Sequence, residues 1–548
     1  MDMFDVLIVG YGPVGKSLAL MLARKGYRIG MVERWKEAYP FPRAVCMDHE
    51  IHRVMSALDL GEKLAAVSAP SPRYQWFNGT GQMLLDIDWT IESISGGPEA
   101  YFFHQPSLEA MLDRELRRFR NVEINLGWEM VSFHDDGDGA TLVIQPNGEG
   151  ARPSRELRGR YLVGADGANS MVRTQAGIAW LDLGFEADWL VVDVEPNEGV
   201  TLDIPEAGQH CNPLRPTTFV PGGIDNGRRQ RRWEFMKLPG EDAAVLNTPE
   251  RVWELLSPWV KPDQAKLVRH ALYTFRSLVA ADWRKGRVLL AGDAAHLMPP
   301  FMGQGMCSGI RDAFSLAWRL DYILSGKAPD WVLDSYTPER RPHVTQVIDI
   351  SVHLGRIICV AEAEAAARRD HTFIDGTATP PPPFPSLTDG FLQHGGSGEH
   401  ARLAGTLAVH GKVECDGLVD DFDRLVGQGF VFIGWDIDPA AQLSPEARQT
   451  LAGLGVICRR IRPAHVADLA SPGDVIDVTG KYEAYFRDNA VAALLMRPDF
   501  YVFGTASGPE SIADLAGEFT HALTGAGGEG SSAGGARMPA DVRTKLAG

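Results

Sequence analysis

The stretch FDVLIVGYGPVGKSLALMLARKGYRIGMVER, residues 4–34, decides the fold class of this chain. It opens with FDVLIVG, a short apolar run rich in β-branched residues, which is typical of a buried parallel strand. Apolar side chains then recur at Val14, Leu18 and Leu22, the spacing of one helix face. A second apolar run, YRIGMVER, closes on Glu33. Strand, glycine turn, helix and strand in this order predict a βαβ unit.

The turn of this unit, GYGPVG, fits the pattern G-x-G-x-x-G. Gly10 allows the tight turn, Gly12 lets the backbone approach a pyrophosphate, and Gly15 permits close packing of the helix on the strand. The helix N-terminus favours the phosphates, and Glu33 is spaced to accept hydrogen bonds from a ribose. An ordinary βα turn is the alternative, but the flanking elements favour a dinucleotide site.

Two later segments repeat the ending of a strand at a Gly/Asp turn: YLVGADGANSMVR, residues 161–173, and GRVLLAGDAAH, residues 286–296. Because α/β sheets bind ligands at the carboxyl ends of their strands, we expect the three turns to converge. Asp293 suits the ribityl end of a flavin, and the loop Pro300–Gly305 suits the region under the ring. A helix starting near Met306 then directs its positive dipole at the flavin, so the sequence favours FAD over NAD.

The length of 548 residues predicts two or three domains. Alternating strands between the second and third turns indicate an inserted β-rich domain, and GTATPPPPFPSLTDG indicates a linker. The Gly/Ser-rich tail is predicted to be disordered. The predicted boundaries are 1–185 and 276–375 for the two parts of the dinucleotide domain, 186–275 for the insertion, 376–398 for the linker, 399–523 for a C-terminal domain and 524–548 for the tail.

The formal net charge of −17 argues against broad binding of nucleic acid or anionic membranes. The basic run Arg228, Arg229, Arg231 and Arg232 is interpreted as a solvated turn and strand edge, although it could attract an anionic substrate. Six scattered cysteines without CxxC spacing suit a reducing compartment and predict neither disulfides nor a metal site. With no signal peptide and no apolar run of about 20 residues, we expect a cytoplasmic protein without a membrane partner.

The segments GYGPVG, GADGANSMVR and GDAAHLMPPFMGQGMCSGIRDAFSLAWRL resemble the three fingerprints of single-component flavoprotein aromatic hydroxylases. PRAVCMDHEIHRVM, YFFHQPSLEAML, RRWEFMKLPGE and LDSYTPERRPHV resemble the 3-(3-hydroxyphenyl)propionate hydroxylase branch, and the likeness covers residues 1–355. The C-terminal block, ending near RPDFYVFG, is similar to the thioredoxin-like appendage of phenol hydroxylases. Since it lacks CxxC, we expect a structural or dimerisation role, with a homodimer as one outcome. The resemblance implies an α/β fold: a Rossmann-like FAD-binding domain, an inserted β-rich substrate domain and a C-terminal thioredoxin-like domain.

The resemblance also implies the chemistry. NADH or NADPH, bound transiently, reduces FAD; O₂ then gives a flavin C4a-hydroperoxide, which hydroxylates a phenolic ring. Relatives often carry Asn where this chain has Cys307, and a thiol is a weaker hydrogen-bonding group, so we interpret Cys307 as a small buried residue. The implied FAD contacts are Gly10, Gly12, Gly15, Glu33, Arg34, Arg43, Gln105, Asp166, Asp293, Pro300, Gly303 and Gly305.

Hydroxylation is an electrophilic attack, so a base near the phenol hydroxyl is expected. Asp48 is the first candidate; its alternative role is to cap the helix that begins HEIHRVM. His210 and Tyr273 are candidates for the ring pocket, although each could be structural. Arg215 is a candidate partner for a substrate carboxylate, and His296 is expected to order its loop rather than touch the substrate.

The resemblance favours a hydroxyphenylpropanoate as substrate. A resorcinol, a hydroxybenzoate or a nitrocatechol that loses its nitro group stays open, because few pocket side chains decide substrate choice in such enzymes. A flavin oxidase, a halogenase and a flavoprotein that binds aromatic compounds without turnover are the other hypotheses. No GWxWxIP run supports a halogenase.

Overall fold

The computed structural model describes residues 3–37, 42–148, 153–394 and 402–525. These residues form three large sheets and one small sheet, flanked by helices. The predicted α/β fold class is confirmed, whereas the domain boundaries stay a prediction. The tail predicted to be disordered lies outside the described residues from residue 526 onward, as does part of the predicted linker.

The strands are listed in chain order. In the first 300 residues they are β1 (Phe4–Val9), β2 (Ile29–Glu33), β3 (Cys46–Asp48), β4 (Ser68–Pro70), β5 (Arg73–Asn78), β6 (Met83–Asp88), β7 (Ala100–Phe103), β8 (Val122–Leu126), β9 (Trp128–Asp135), β10 (Ala140–Pro146), β11 (Arg155–Gly164), β12 (Trp180–Pro196), β13 (Gly208–Cys211), β14 (Thr217–Asp225), β15 (Arg228–Met236), β16 (Ala265–Ala280), β17 (Arg284–Lys285), β18 (Val288–Leu290) and β19 (His296–Leu297). The C-terminal strands are β20 (Lys412–Cys415), β21 (Leu418–Asp421), β22 (Val431–Trp435), β23 (Ile457–Pro463), β24 (Val475–Asp477), β25 (Ala493–Met496) and β26 (Val502–Ala506).

The α-helices follow the same order. They are α1 (Pro13–Arg24), α2 (His49–Ala57), α3 (Gly61–Ala65), α4 (Gln105–Leu116), α5 (Met171–Gln175), α6 (Ala243–Leu246), α7 (Pro249–Leu256), α8 (Gly305–Leu324), α9 (Tyr336–Ile358), α10 (Ala363–Ile374), α11 (Phe422–Val426), α12 (Pro445–Leu454), α13 (Lys481–Asp488) and α14 (Pro509–Thr524).

The first sheet has the strand order β17-β18-β11-β1-β2-β8, and the five strands from β18 to β8 run parallel. Strands β9 and β10 extend it as an antiparallel meander. Val6, Leu7 and Ile8 of the central strand β1 are fully buried. Strands covered on both faces need such a continuous apolar run, which is why this segment was identifiable as a parallel strand.

The second sheet has the strand order β19-β16-β12-β15-β14-β13-β5-β6. Apolar side chains on one of its faces, including Trp233 and Phe235, form a separate core with Val252 and Leu256 of α7. Residues 186–275, predicted as the β-rich insertion, contribute most of this sheet. Residues 73–88, which form β5 and β6, complete the sheet and were not part of that prediction.

The expectation that the basic run is a solvated strand edge is wrong for two of its four residues. Arg228 and Arg229 are exposed, but Arg231 and Arg232 are only 8% and 1% exposed. The physical reason is that β15 is a central strand, paired with β12 on one side and β14 on the other. Buried guanidinium groups need hydrogen-bonding partners, and those of Arg232 contribute to the functional site.

The third sheet belongs to the C-terminal block and has the strand order β21-β20-β24-β23-β22-β25-β26. Strands β22, β23 and β24 are parallel, and β25 and β26 are antiparallel to their neighbours. A buried ion pair joins this block to the first part of the chain: Arg53 of α2 donates to Asp423 of α11 at 2.7 and 3.0 Å.

No single helix of the described ranges has the length and apolar composition needed to cross a membrane. One pair of consecutive helical segments, Asp330–Ile358 and Ala363–Ile374, meets those two criteria together, with a bend of 112° between them.

Candidate active site at the carboxyl ends of the parallel strands

The three glycine turns predicted to converge lie against one another. Gly10 has a φ of +114°, and a Cβ atom there would lie 2.1 Å from the carbonyl oxygen of Ala165, at the end of β11. Similarly, a Cβ atom on Gly292, just after β18, would lie 3.0 Å from the side chain of Val14 in α1. The ends of β1, β11 and β18 therefore form one edge of the sheet, where α/β proteins bind ligands.

The N-terminus of α1 faces open space at this edge. Gly12 is the N-cap residue, and no atom lies within 4 Å of the position that its Cβ would occupy. Gly15 has the opposite environment, because its Cβ would lie 2.3 Å from the carbonyl oxygen of Gly10. Close packing at Gly15 and free approach at Gly12 leave the first N–H groups of α1 and its positive dipole end available to a phosphate.

Glu33 is held at the end of β2 by two backbone groups. Its carboxylate accepts hydrogen bonds from the N–H of Tyr11 at 3.0 Å and of Trp35 at 3.1 Å. Each carboxylate oxygen can accept more than one hydrogen bond, so capacity is left for ribose hydroxyls. The neighbouring Arg34 is exposed, and its guanidinium lies 5.3 Å from the centroid of the Trp35 ring.

The acids at the other two turns have different surroundings. Asp166 accepts hydrogen bonds from Ser170 Oγ and from the N–H of Met171, so it organises the start of α5. Asp293 makes no hydrogen bond with the part of the chain that the structure describes. Its side chain is exposed to solvent, but the surrounding protein displaces enough water to raise its pKa. An accessible acceptor without a partner is what a ribityl hydroxyl requires.

His296 has the loop-ordering role that the sequence predicts. It is 1% exposed, and its Nε2 lies 2.7 Å from Oδ2 of Asp312 in α8. The same carboxylate accepts the N–H of Gly292 at 3.0 Å and a hydrogen bond from Arg340. His296 therefore connects the third glycine turn to the helix behind it.

The segment that contains Arg43 is fixed from two sides. Gln105 Oε1 accepts hydrogen bonds from the N–H of Arg43 at 2.8 Å and of Ala44 at 2.7 Å. On the other side, Arg232 of the second sheet donates to the carbonyl oxygens of Arg43 at 2.5 Å and Pro42 at 2.7 Å. Gln105 therefore fixes this segment through its backbone N–H groups, and Arg232 fixes it through its carbonyl oxygens, a contact that the sequence did not predict.

The glycine loop after β19 packs on the end of the same segment. Gly303 adopts a φ of +64°, and its Cβ would lie 3.0 Å from Cβ of Cys46. Pro300 begins a short 3₁₀ turn, and Gly305 begins α8, whose first N–H groups have no intrahelical partner. Cys307 is fully buried, and burial raises the pKa of its thiol well above the ordinary value, so its interpretation as a small packed residue is confirmed.

Asp48 has the capping role that the sequence analysis gave as its alternative. Its Oδ1 accepts the N–H of Ile51 at 3.0 Å at the start of α2, and its Oδ2 forms an ion pair with Arg311. Burial raises the pKa of Asp48, but Arg311 and other neighbours outweigh it and bring the pKa below its ordinary value. Arg311 also binds Glu50 at 2.6 Å and Gln304 of the glycine loop at 2.8 Å. The role of Asp48 as the catalytic base stays a prediction.

The cluster around Asp48 adjoins a cavity of about 410 Å³, which Met302 and Gln304 of the glycine loop also line. Arg311 was not among the residues predicted from the sequence. The available signal was the charged pair Arg311 and Asp312 in the segment GMCSGIRDAF, whose other residues are apolar or small.

The loop-facing side of the second sheet contains Tyr273 but not His210. Tyr273 pairs with Trp189, whose ring centroid lies 5.6 Å from that of Phe301 in the glycine loop. His210 packs instead against Trp259, at a centroid distance of 5.9 Å, in the core on the opposite face. Burial lowers its pKa.

Arg215 is committed to protein partners. Its guanidinium binds both carboxylate oxygens of Glu241, at 2.7 and 2.5 Å, and donates to the carbonyl oxygen of Met236 at 2.8 Å. Within the described ranges no group of three or more His, Cys, Asp or Glu side chains is arranged to hold a metal ion.

The residues at this edge fit FAD. The open helix N-terminus suits the pyrophosphate, Glu33 suits the adenosine ribose, Asp293 suits the flavin side chain, and the first turn of α8 suits an electron-rich ring edge. When bound, FAD accepts a hydride from NAD(P)H and activates O₂.

Comparisons with known proteins agree with this fit. The model of an FAD-binding domain family matches residues 3–351, and that of the HcaD C-terminal domain matches residues 405–522. A probable NADH-specific resorcinol 4-hydroxylase of Rhodococcus jostii is 34% identical, and the match covers 95% of both chains. A 3-(3-hydroxyphenyl)propionate/3-hydroxycinnamic acid hydroxylase of Comamonas testosteroni is 32% identical, covering 95% of this chain and 97% of the relative.

Solved structures share the fold over most of the length. The flavin-dependent monooxygenase PieE, in complex with FAD and substrate, superposes with a TM-score of 0.77 at 20% identity, covering 95% of this chain and 99% of the other. Aklavinone-11 hydroxylase with FAD and aklavinone gives a TM-score of 0.75 at 24% identity, with the same coverage. The chain belongs to the family of FAD-dependent aromatic hydroxylases, and it hydroxylates a phenolic ring with FAD, NAD(P)H and O₂.

Proposed function

We propose that this protein hydroxylates a small, uncharged phenol of the resorcinol type, with NADH as the reductant. The resemblance to hydroxyphenylpropanoate hydroxylases favours a substrate with a carboxylate. The two substrate classes therefore differ in charge: a resorcinol-type phenol is neutral, and a hydroxyphenylpropanoate is an anion. Relatives of both classes have similar identity, 34% and 32%. We therefore choose between the two substrate classes from the charges around the candidate pocket.

The single observation that carries the proposal is that the guanidinium groups nearest the glycine loop and the second sheet have protein partners. Arg232 and Arg269 lie within 2.7 and 3.7 Å of the carboxylate of Asp193. Arg311 binds two carboxylates in the cluster behind the glycine loop. The carboxylate of Glu234 on the same sheet face adds negative charge, which opposes a substrate carboxylate. An uncharged phenol avoids this repulsion.

We assign the following roles within this proposal. The turns at Gly10, Asp166 and Asp293, with Gln105 and the segment at Arg43, bind and orient FAD. The aromatic side chains around Phe301 cover the reacting ring and exclude water from it, which prevents loss of the activated oxygen as peroxide. Asp48 positions the glycine loop through Arg311 rather than acting as the base, because its carboxylate is already engaged by two partners.

The test is a comparison of two substrates with the purified holoenzyme. NADH oxidation and hydroxylated product are measured with resorcinol and with 3-(3-hydroxyphenyl)propionate. We expect kcat/KM to be at least tenfold higher for resorcinol, with product formed in proportion to NADH. A tenfold preference for the propionate contradicts the proposal, although it leaves phenol hydroxylation intact. NADPH in place of NADH tests the choice of reductant in the same assay.

We also propose a cytoplasmic, homodimeric protein with the domain boundaries predicted from the sequence. The cysteines support the compartment, because all six are unpaired thiols, as a reducing environment maintains them. The dimer is tested by the molar mass in solution, where a monomeric mass would contradict it. No nucleic-acid partner is proposed, in line with the net charge of −17.

A further inference from the structure

Four side chains cross the second sheet in one row on its loop-facing side. Glu234 of β15 pairs with Thr218 of β14, Thr218 pairs with Gln209 of β13, and Gln209 pairs with Trp76 of β5. Directly paired residues of neighbouring strands point to the same face of a sheet. The hydrogen bond from Thr218 Oγ1 to Gln209 Oε1, at 2.7 Å, confirms this arrangement.

This row lies between the two segments that the FAD site is built from. On β15, Arg232 precedes Glu234 by two residues and binds the carbonyl oxygen of Arg43. Met236 follows Glu234 by two residues and belongs to the apolar cluster that contains Phe301 of the glycine loop. Since residues two apart share a face, Glu234 faces the space between these segments. A phenol ring placed between the segment at Arg43 and Phe301 of the glycine loop would therefore lie against this face of the sheet.

The carboxylate of Glu234 is mostly buried, and its charged partner is Arg232. The residue is 7% exposed, and neither oxygen accepts a hydrogen bond within the described part of the chain. The nearest cationic atom is Nη1 of Arg232, 3.8 Å from Oε1. Burial raises the pKa of Glu234, the guanidinium of Arg232 lowers it, and the carboxylate of Asp193 raises it further. Together these effects bring the pKa of Glu234 above its ordinary value. A mostly buried carboxylate that accepts no hydrogen bond from the protein has lone pairs available for a hydroxyl proton of a ligand.

Two hydrogen-bond donors in the same aromatic cluster also lack partners. The indole Nε1 atoms of Trp76 and Trp189 are buried and make no hydrogen bond with the residues that the structure describes. Both side chains belong to the cluster that contains Phe301. These two donors and the carboxylate of Glu234 belong to residues on the same face of the sheet. Together they match a ligand that offers hydroxyl oxygens and a hydroxyl proton.

We propose that Glu234 is the base that removes the hydroxyl proton of the bound phenol, an inference that rests on the phenol hydroxylation stated above. The O–H bond of the substrate breaks, its electron pair stays on the phenol oxygen, and the proton forms an O–H bond with the carboxylate. The resulting phenolate is more electron-rich at the ring carbons that an electrophilic oxygen attacks. The step needs no oxidant or reductant, and it gives the row of polar side chains a function.

The experiment compares Glu234→Gln, Glu234→Asp and the control Glu186→Gln, each as holoenzyme. Glu186 is an exposed carboxylate of the same sheet, paired with Arg276 at 2.8 Å. The probes are resorcinol and 5-fluororesorcinol, whose hydroxyl protons are more acidic. Product formation per bound FAD is measured for each protein, together with FAD content and melting temperature.

We expect Glu234→Gln to form product from resorcinol about 10²-fold more slowly, since general base catalysis contributes about 10²–10⁴-fold. With 5-fluororesorcinol, the rate of Glu234→Gln should be only about tenfold below that of wild type. Glu234→Asp keeps a carboxylate, so its rate of product formation should lie between those of wild type and Glu234→Gln. A Glu234→Gln enzyme that matches the control overturns the base. So does a deficit that is equal for both probes, because a structural role does not depend on substrate acidity. If the wild-type enzyme hydroxylates no phenol, the function itself is refuted.

Discussion

A buried cluster of charges between the FAD-binding part and the C-terminal block predicts that these parts stabilise each other. Glu339 of α9 accepts two hydrogen bonds from Arg497, at 2.7 and 2.8 Å, and lies 2.9 Å from Arg319 of α8. Arg497 also binds Asp499, which accepts the indole N–H of Trp318 at 2.9 Å. These residues are at most 3% exposed. The substitution Glu339→Gln leaves two buried guanidinium groups with one carboxylate.

The ion pairs of Glu339 set the size of the effect on stability. Removing one partner of a buried ion pair costs about 3–5 kcal/mol. Burial alone raises the pKa of Glu339, but Arg319 and Arg497 outweigh it and lower the pKa from 4.5 to about 2. That difference corresponds to about 3 kcal/mol of stability. Because the folded pKa is the lower one, this stability is fully present above pH 4.5 and is lost as the pH falls towards 2.

The assay is urea unfolding of wild type, Glu339→Gln and the exposed control Glu186→Gln. At pH 7 we expect Glu339→Gln to lower the unfolding free energy of the transition that separates the C-terminal block by about 3 kcal/mol or more. The control should change it by less than about 1 kcal/mol. The gap between wild type and Glu339→Gln should narrow below pH 4.5. A gap at pH 7 no larger than that of the control would refute the reasoning.

Three further predictions concern the cofactor and substrate sites. Gly15→Ala introduces a Cβ 2.3 Å from the carbonyl oxygen of Gly10, so α1 must shift. We expect the Kd for FAD, measured by flavin fluorescence titration of the apoprotein, to rise at least tenfold. An unchanged Kd would show that close packing at Gly15 does not matter for FAD binding. Arg232→Lys replaces a planar group that binds Asp193 and the carbonyl oxygens of Pro42 and Arg43 at once. The FAD content of the purified protein should therefore fall clearly below that of wild type. Full FAD occupancy would show that Arg232 does not hold the segment at Arg43 for FAD binding. Trp189→Phe removes the buried indole N–H, a hydrogen-bond donor, while the fold is retained. The KM for resorcinol should rise by about tenfold. An unchanged KM would exclude the indole from substrate binding.

The local sequence predicts the FAD site because its determinants are local. Each of the three turns combines an apolar strand with a Gly/Asp ending, and the close contact of Gly10 with Ala165 follows from the parallel pairing of β1 with β11. The helix after the glycine loop, expected near Met306, begins at Gly305. Strong periodicity and glycine spacing are enough to predict such elements.

The substrate side could not be predicted in the same way, because it depends on strand register. A shift of one residue exchanges the two faces of a strand, so Gln209 faces the glycine loop while His210 packs against Trp259. Long-range pairing is equally hidden: Asp48 finds its ion-pair partner Arg311 at a separation of 263 residues. Candidate residues chosen by chemical type alone therefore included His210, which lies on the face opposite to the glycine loop, and did not include Glu234, the proposed base.

The origin of the new oxygen atom tests the central claim most directly. The wild-type holoenzyme, supplied with NADH and resorcinol under ¹⁸O₂, should release a product that carries one labelled oxygen atom per molecule, with product and consumed NADH in equal amounts. Unlabelled product, or NADH consumption that yields only hydrogen peroxide with every phenol tested, would contradict the assignment of this chain as a phenol hydroxylase.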